Sequence, residues 1–411
     1  MSRRWPWALF EAYGIELEYM IVDRASLAVR PVADELLRDA SGGTAWVEDV
    51  QRGPVAWSNE IVGHLVEFKT NGPARTLAEL PAQFHVDVLE ANRLLAPRGA
   101  MLLGLGAHPL MDPTSETRIW AHGGGEVYAA YDRIFGCRGH GWSNLQSTHL
   151  NLPFSDDEEF GRLHAAVRLV LPIIPALAAS SPFLDGRFTG YLDARLETYR
   201  HNQARIPSLT GRVIPERLFS EAEYRGLLDR IEADIAPHDP DRLLDPLFLN
   251  SRGAIARFDR GAIEIRIIDI QECPAADLAV VAAIVTVLKS LVGERNVPYA
   301  VQREWPEDLL ADILLQVARD SDQARIRDTD YLRMLGLTGG GRSAGELWRE
   351  LCESARAEFE PPAAAALGRI LAAGPLARRL LASVGTVPTR AALDGACGAL
   401  ADCLAENRLF P

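Results

Sequence analysis

The chain has 411 residues, 48% of them hydrophobic and 24% charged, which suits an ordinary folded protein with a large core and excludes a disordered or fibrous one. Its 43 Lys+Arg against 56 Asp+Glu leave a formal charge of −13, which repels polyphosphate backbones and argues against nucleic acid as a general partner. Cys137, Cys273, Cys352, Cys397 and Cys403 are scattered and form no CxxC pair, so neither a zinc knuckle nor a disulfide framework is indicated and a reducing cytoplasm is the expected home.

In chain order, the N-terminal MSRRWPWALF has an apolar run that breaks at Glu11, too short for the core of a secretory signal. GIELEYMIVD (14–23) reads as a strand in which Ile15, Leu17, Tyr19 and Ile21 alternate with Glu16, Glu18, Met20 and Val22. Side chains two positions apart share a face about 6.6 Å from one another, so the two glutamates point the same way. A water-facing polar surface would account for them, but Met20 and Val22 continue that face, and acids beside apolar neighbours need a partner.

A second strand is predicted over 62–70, with Leu65, Glu67 and Lys69 on one face. Glu60 lies seven positions before Glu67, an odd spacing that puts it on the opposite face unless the chain turns or bulges near Gly63. TLAELPAQFHVDVLEANRLLAPRG (76–99) predicts a helix capped by Thr76, and another strand follows over 100–108. LQSTHLNL (145–152) aligns Ser147, His149 and Asn151 on one strand face, where a single histidine fits a hydrogen-bonded structural role as well as a ligand. The span 155–180 reads as a helix with an acidic first turn, kinked by Pro172 and Pro175.

GYLDARLETYRHNQARIPSLTGR (190–212) gathers Arg195, Arg200, Arg205 and Arg212 around Tyr199, His201 and Asn202. Two readings fit it: an anion site for a phosphate or a substrate carboxylate, possessing Arg200 and Tyr199 as substrate-binding residues and able to act as a flexible cover, or helix-surface ion pairs with Asp193 and Glu197. GAIEIRIIDIQEC (261–273) alternates isoleucines with Glu264 and Arg266, whose simplest relation is an ion pair. LAVVAAIVTVL (278–288) is too short to span a bilayer and reads as a buried helix, so no membrane partner is expected.

Beyond about 275 no strand is predicted; helical patterns run through 306–320, 344–359, 363–384 and 389–406. A Gly-rich linker in 337–348 leads into a capping box from Ser343 to Glu346 and lacks the pattern of a phosphate loop. Strands and helices alternate too irregularly for a doubly wound sheet, which predicts an α+β fold. Four strands carry acid, histidine or arginine insertions, and a set rich in glutamate without thiolate matches Mg²⁺ or Mn²⁺ better than zinc. Acids gathered in one cleft raise one another's pKa unless cations neutralise them.

GIELEYMIVD, VEFKTNGP, THLNL, ALAASSPFLDGR (176–187) and IEIRIIDIQEC together resemble the glutamate–cysteine ligase superfamily, near its bacterial carboxylate–amine ligase branch, over about residues 10–300. The resemblance implies an antiparallel sheet curved into a funnel, like that of glutamine synthetase, with helices outside and a catalytic domain over 1–300; the helical region read over 301–411, which has no clear counterpart in the family, is expected to pack on it. It also implies use of ATP and divalent metal to activate a glutamate-type carboxylate as an acyl-phosphate and couple it to an amine, with cysteine as leading acceptor.

Carried over by residue, the resemblance makes Glu16, Glu18, Glu60, Glu67, His149 and Glu264 metal ligands. His149, Arg266, Lys69 and Asn151 would serve the nucleotide, with Arg266 the catalytic arginine at the transferring phosphoryl group. THLNL departs from the family by having one histidine where many carboxylate–amine ligases have an HxH pair, which leaves the amine acceptor open. Small-molecule substrates are the expected partners and a homo-oligomer is open. A ligase for another amino acid, amine or peptide, a non-catalytic ATP- or metal-binding protein, and a two-metal phosphohydrolase are the other readings.

Overall fold

Eight strands form one sheet: β1 (Gly14–Asp23), β2 (Asp49–Arg52), β3 (Val55–Asn59), β4 (Leu65–Thr70), β5 (Ala100–Leu103), β6 (Ser147–Pro153), β7 (Ala254–Arg257) and β8 (Ala262–Asp269). The computed structural model describes residues 4–411; of the N-terminal segment read above, residues 1–3 lie outside the described ones. The sheet runs in the order β2-β3-β4-β1-β6-β8-β7 with every pairing antiparallel, and β5 joins the far half of β1. One edge of β1 is therefore shared: Gly14 to Leu17 pair with β6 and Met20 to Asp23 with β5.

Period-2 alternation explains the two faces. Ile15, Leu17 and Tyr19 of β1 enter the main core with Trp57, Phe68, Leu150, Ile263 and Ile265. Against that face lie the helices Leu80–Leu95, Asp157–Val170 and Pro274–Val292. The last is long and apolar enough to cross a membrane by composition, and it is buried in this core.

On the opposite face Met20 and Val22 pack in a second cluster with Leu65, Leu103, Leu380 and Leu400. Half of the Glu16/Glu18 face is thus closed by apolar contacts from the C-terminal helices Leu376–Val384 and Arg390–Glu406. The other half opens onto a cavity of about 940 Å³. The helical region after 300 joins the main core directly, through Leu310, Leu314, Trp348 and Ile370.

Several local expectations change. The helix expected over 76–99 begins at Leu80 with Glu79 as N-cap and no capping side chain, because Thr76 spends its hydroxyl on the Ala78 N–H instead. Pro172 and Pro175 break the helix of 155–180 into an α-helix to Val170, a 3₁₀ turn and a short helix Pro175–Ala178. Gly374 and Pro375 likewise split 363–384 into Pro361–Ala373 and Leu376–Val384. Among the described residues one small strand pair, Arg325–Ile326 with Arg342–Ser343, lies beyond 275. The capping box at Ser343 and Glu346 forms with both reciprocal hydrogen bonds.

Candidate active site

The cavity is floored by the polar face of the central strands, and strand register sets its residues side by side. Glu16 faces Lys69 and His149 on its neighbours, Glu18 faces Glu67, and Glu67 faces Ser58. Glu60 follows β3 directly, two residues past Ser58, and the chain reverses through Ile61–His64 before β4. Because Glu60 and Glu67 stand on two arms of a hairpin, the odd spacing places them on one face. That resolves the parity conflict noted in the sequence.

Two groups of side chains converge tightly enough to hold a cation. Ligand atoms of Glu16, Glu67 and His149 lie within 4.8 Å of one another, and so do those of Glu18, Glu60 and Glu67. Glu67 belongs to both. His149 Nδ1 bonds Glu16 Oε2 at 2.8 Å, while its Nε2 lies 3.0 Å from Ser147 Oγ and 3.7 Å from Glu18 Oε1. Ser147 donates to Glu18 from both its N–H and its hydroxyl, at 2.7 and 2.8 Å, and Asn151 Nδ2 donates to Glu16 at 3.0 Å. Gly14 opposite is needed for close approach, since a Cβ there would sit 2.9 Å from Asn151 Cβ.

Charge is unevenly shared among these groups. Burial alone would raise the Glu16 carboxyl, but the hydrogen bond and charge of His149 hold it at about 2. Burial and the charge of Glu16 push Glu67 up to about 7, against the pull of Lys69 and Ser58. Burial, Glu18 and Glu67 drive Glu60 well above the carboxylate range. His149 resists burial because Glu16 and Glu18 bind its proton, and it rises to about 9. An imidazolium and protonated carboxyls therefore balance a site built from acids. That donor set, short of positive charge, fits Mg²⁺ or Mn²⁺ held by Glu16, Glu18, Glu60 and Glu67.

Glu264 belongs to neither group. Its carboxylate is taken by Arg257 Nη1 at 3.2 Å and Arg266 Nε at 3.0 Å, so it orients arginines in this structure. Lys69 donates to Ser58 at 2.7 Å and pairs with Asp49 at 3.0 Å and Glu67 at 3.3 Å. Arg266 lines the same cavity; burial opposes its charge, but Tyr199, Glu264, Glu16 and Glu18 raise it above the ordinary guanidinium value.

A β-bulge aims Arg266. β8 pairs with β6 through Ile265–Leu150 and resumes at Ile268–Thr148, so Arg266 and Ile267 together stand opposite His149. The bulged carbonyl of Arg266 accepts from Arg195 Nη2 at 3.0 Å, and Arg195 Nη1 lies 3.3 Å from Asp269 Oδ1. Asp269 is fixed in turn by the Ser180 N–H and the Ser181 hydroxyl, at 2.9 and 2.8 Å. Asp193 caps the next helix through Leu196 N, and burial beside Asp269 drives its carboxyl well upward.

The expected anion cluster of 190–212 does not assemble. Arg195 is buried on Asp269, Arg200 pairs with Glu197 at 2.6 Å outside the cavity lining, Arg205 bonds the Ile134 carbonyl, and Arg212 pairs with Asp308. Each guanidinium is taken by a separate partner, and Gln203 and Leu209 of the segment are buried. Tyr199 and Gln203 do reach the cavity. Tyr128, Tyr131 and Trp142, which also line it, were not singled out from the sequence; the i,i+3 tyrosines of GEVYAAYDRIF were the available signal.

The sequence profile of glutamate-cysteine ligase family 2 matches residues 12–400. A protein of Archaeoglobus fulgidus with no functional name is 34% identical over 339 residues, 81% of this chain and 91% of its own. A protein of Rubrobacter xylanophilus named, provisionally, glutamate–cysteine ligase 2-3 is 27% identical over 218 residues, about half of each chain (53% and 54%). The crystal structure of a Francisella tularensis glutamate–cysteine ligase in complex with AMP superposes with a TM-score of 0.54 at 10% identity, covering 96% of this chain and 88% of that one. At that identity the likeness establishes a shared fold.

Proposed function

Since this chain belongs to the glutamate–cysteine ligase family 2, a carboxylate–amine ligase family, we propose that it is itself an ATP-dependent ligase that activates a glutamate-type carboxylate as an acyl-phosphate and couples it to an amine. The observation that carries the reading is the convergence of Glu16, Glu18, Glu60, Glu67 and His149 on one sheet face, with Arg266 in the same cavity.

Phosphoryl transfer to a carboxylate crowds anionic oxygens together, and a divalent cation supplies the charge that offsets them. The chain's own residues have the remaining work. Glu16, Glu18, Glu60 and Glu67 would hold the cation, with Ser147 and Asn151 fixing two of these carboxylates by hydrogen bonds. Arg266 offers a guanidinium for the transferring group, kept in register by the bulge and by Glu264. An acyl-phosphate formed there needs shelter from water, which the aromatic side chains that line the cavity, Tyr128, Tyr131 and Trp142, help to supply.

Cysteine, the acceptor in the names of the relatives, is the first acceptor to test. Purified protein with ATP, Mg²⁺ and glutamate should release ADP only when an amine is added, and the amide should be isolable. ADP or phosphate release that ignores every amine would favour a phosphohydrolase instead and overturn the reading.

A further inference from the structure

Four aromatic rings gather in one part of the cavity, and most of its cations stand in another. Lys69 and Arg257 stand toward the edge marked by Gly14, Asn151 and Ala262: Lys69 is the register partner of Glu16, and Arg257 that of Ala262. Both already face carboxylates, Lys69 at Asp49 and Arg257 at Glu264 and Asp259, and Arg260, which lines the cavity beside Gly261, lies 3.6 Å from Asp259; Arg257 also stands over the Phe248 ring at 5.2 Å. The part beyond Glu18 and Glu60 is walled by rings from three separate helices. Tyr128 and Tyr131 come from Gly125–Phe135, Trp142 from His140–Ser143 and Tyr199 from Ala194–Tyr199.

The rings hold together as a wall. Tyr131 meets Trp142 edge-on at 5.5 Å, and Trp142 is backed by Phe135 at 5.8 Å. The Tyr128 hydroxyl receives a bond from Asn59 next to Glu60, while the Tyr199 hydroxyl and Trp142 Nε1 have no hydrogen-bond partner among the described residues. Arg266 is the lining cation beside Tyr131 and Tyr199, and Glu264 is 3.0 Å from it. Other lining acids nearby are Glu60, Glu67 and Asp245.

We propose that the acceptor is a primary amine or diamine without a carboxylate, held with its hydrocarbon chain among Tyr128, Tyr131, Trp142 and Tyr199. The inference rests on the ligase reading. An amino-acid acceptor would bring a second carboxylate beside Arg266, which pairs with Glu264 and is given to the transferring group in the ligase reading, while the other charges there are negative; an unpaired desolvated carboxylate is strongly disfavoured. Aromatic faces attract a cation and exclude an anion, and their area suits an alkyl or arylalkyl chain.

The coupling balances as ATP plus carboxylate plus ammonium giving ADP, phosphate, amide and one proton. The deprotonated amine nitrogen forms the C–N bond, the C–O bond to phosphate breaks, and phosphate leaves with the electron pair.

The test is amide formation by the full chain with ATP, Mg²⁺ and glutamate, using putrescine, phenethylamine, cysteine and alanine as acceptors and mass spectrometry of products. The expected result is a kcat/KM at least tenfold higher for one of the two amines than for either amino acid. Trp142→Ala should raise the KM for that amine at least tenfold and leave the KM for ATP within twofold; Tyr199→Ala carries the same comparison if Trp142→Ala does not fold. A higher kcat/KM for cysteine or alanine overturns this inference and leaves the ligase reading standing. No amide with any acceptor overturns both.

Discussion

At the scale of single residues, the cavity works by sharing too little positive charge among too many acids. Glu67 sits at about 7 and is half protonated near neutrality, yet a cation needs it ionised. Mg²⁺ binding should therefore tighten as pH rises through about 7 and release protons below it. Calorimetry in two buffers of different ionisation enthalpy would read that release, and Glu67→Gln should reduce it to what Glu60 contributes and weaken binding by more than about tenfold. His149 behaves with the opposite dependence. Its folded value of about 9 lies above the ordinary 6.5, so its contribution to stability is complete below about 6.5 and is lost as pH climbs through 9. The urea midpoint of metal-free protein should fall between pH 7 and 9, and His149→Asn should flatten that fall. Alternation in GIELEYMIVD already put both glutamates on one face, but it could not reveal that an imidazolium lies between them, because that contact joins residues 133 positions apart.

Among elements, the strands with clean alternation, β1, β4, β6 and β8, were legible, and they supply most of the acids. β2, β3 and β7 are only 4 or 5 residues long, too short for a period to stand out. Missing β3 is what made Glu60 look misplaced, since the hairpin that brings it to Glu67 was invisible. The bulge in β8 left one trace, the adjacent Ile267 and Ile268 that break the alternation of IEIRIID, but the pairing with β6 is what identifies that break as an extra residue. Arg195 completes that bulge from a segment whose arginines suggested an anion site. Arg195→Met should strand the buried carboxylate of Asp269 and the Arg266 carbonyl together, and cost about 3–5 kcal/mol in denaturant unfolding. A loss below about 1 kcal/mol would show that the bulge is held by strand pairing alone.

Across the whole molecule, the sheet gives one face to the core and divides the other between the acid-lined cavity and an apolar cluster closed by the C-terminal helices. The family resemblance was legible over the first three hundred residues because all of its motifs but ALAASSPFLDGR include a strand of the sheet. The later helices follow only the loose demand of apolar packing, which many sequences meet, so their docking was readable as helical but not in its partners. The ligase reading makes its sharpest demand at Arg266. Arg266→Ala should lower kcat by about 10²–10³-fold with a much smaller change in ATP affinity, as expected of a group engaged mainly in the transition state. Equal losses in both, measured by steady-state rates and nucleotide titration, would assign it to anchoring.

The shared edge of β1 also has a consequence for biogenesis. β1 is synthesised first, but its β6 partner arrives about 130 residues later; at 5–20 residues per second that is roughly 6–26 s of waiting. Throughout that interval the strand bearing Glu16 and Glu18 has an open edge, and its two charged side chains near that edge are the kind that discourage pairing with a neighbouring nascent chain. The same glutamates thus protect the strand on the ribosome before they have any cation to hold.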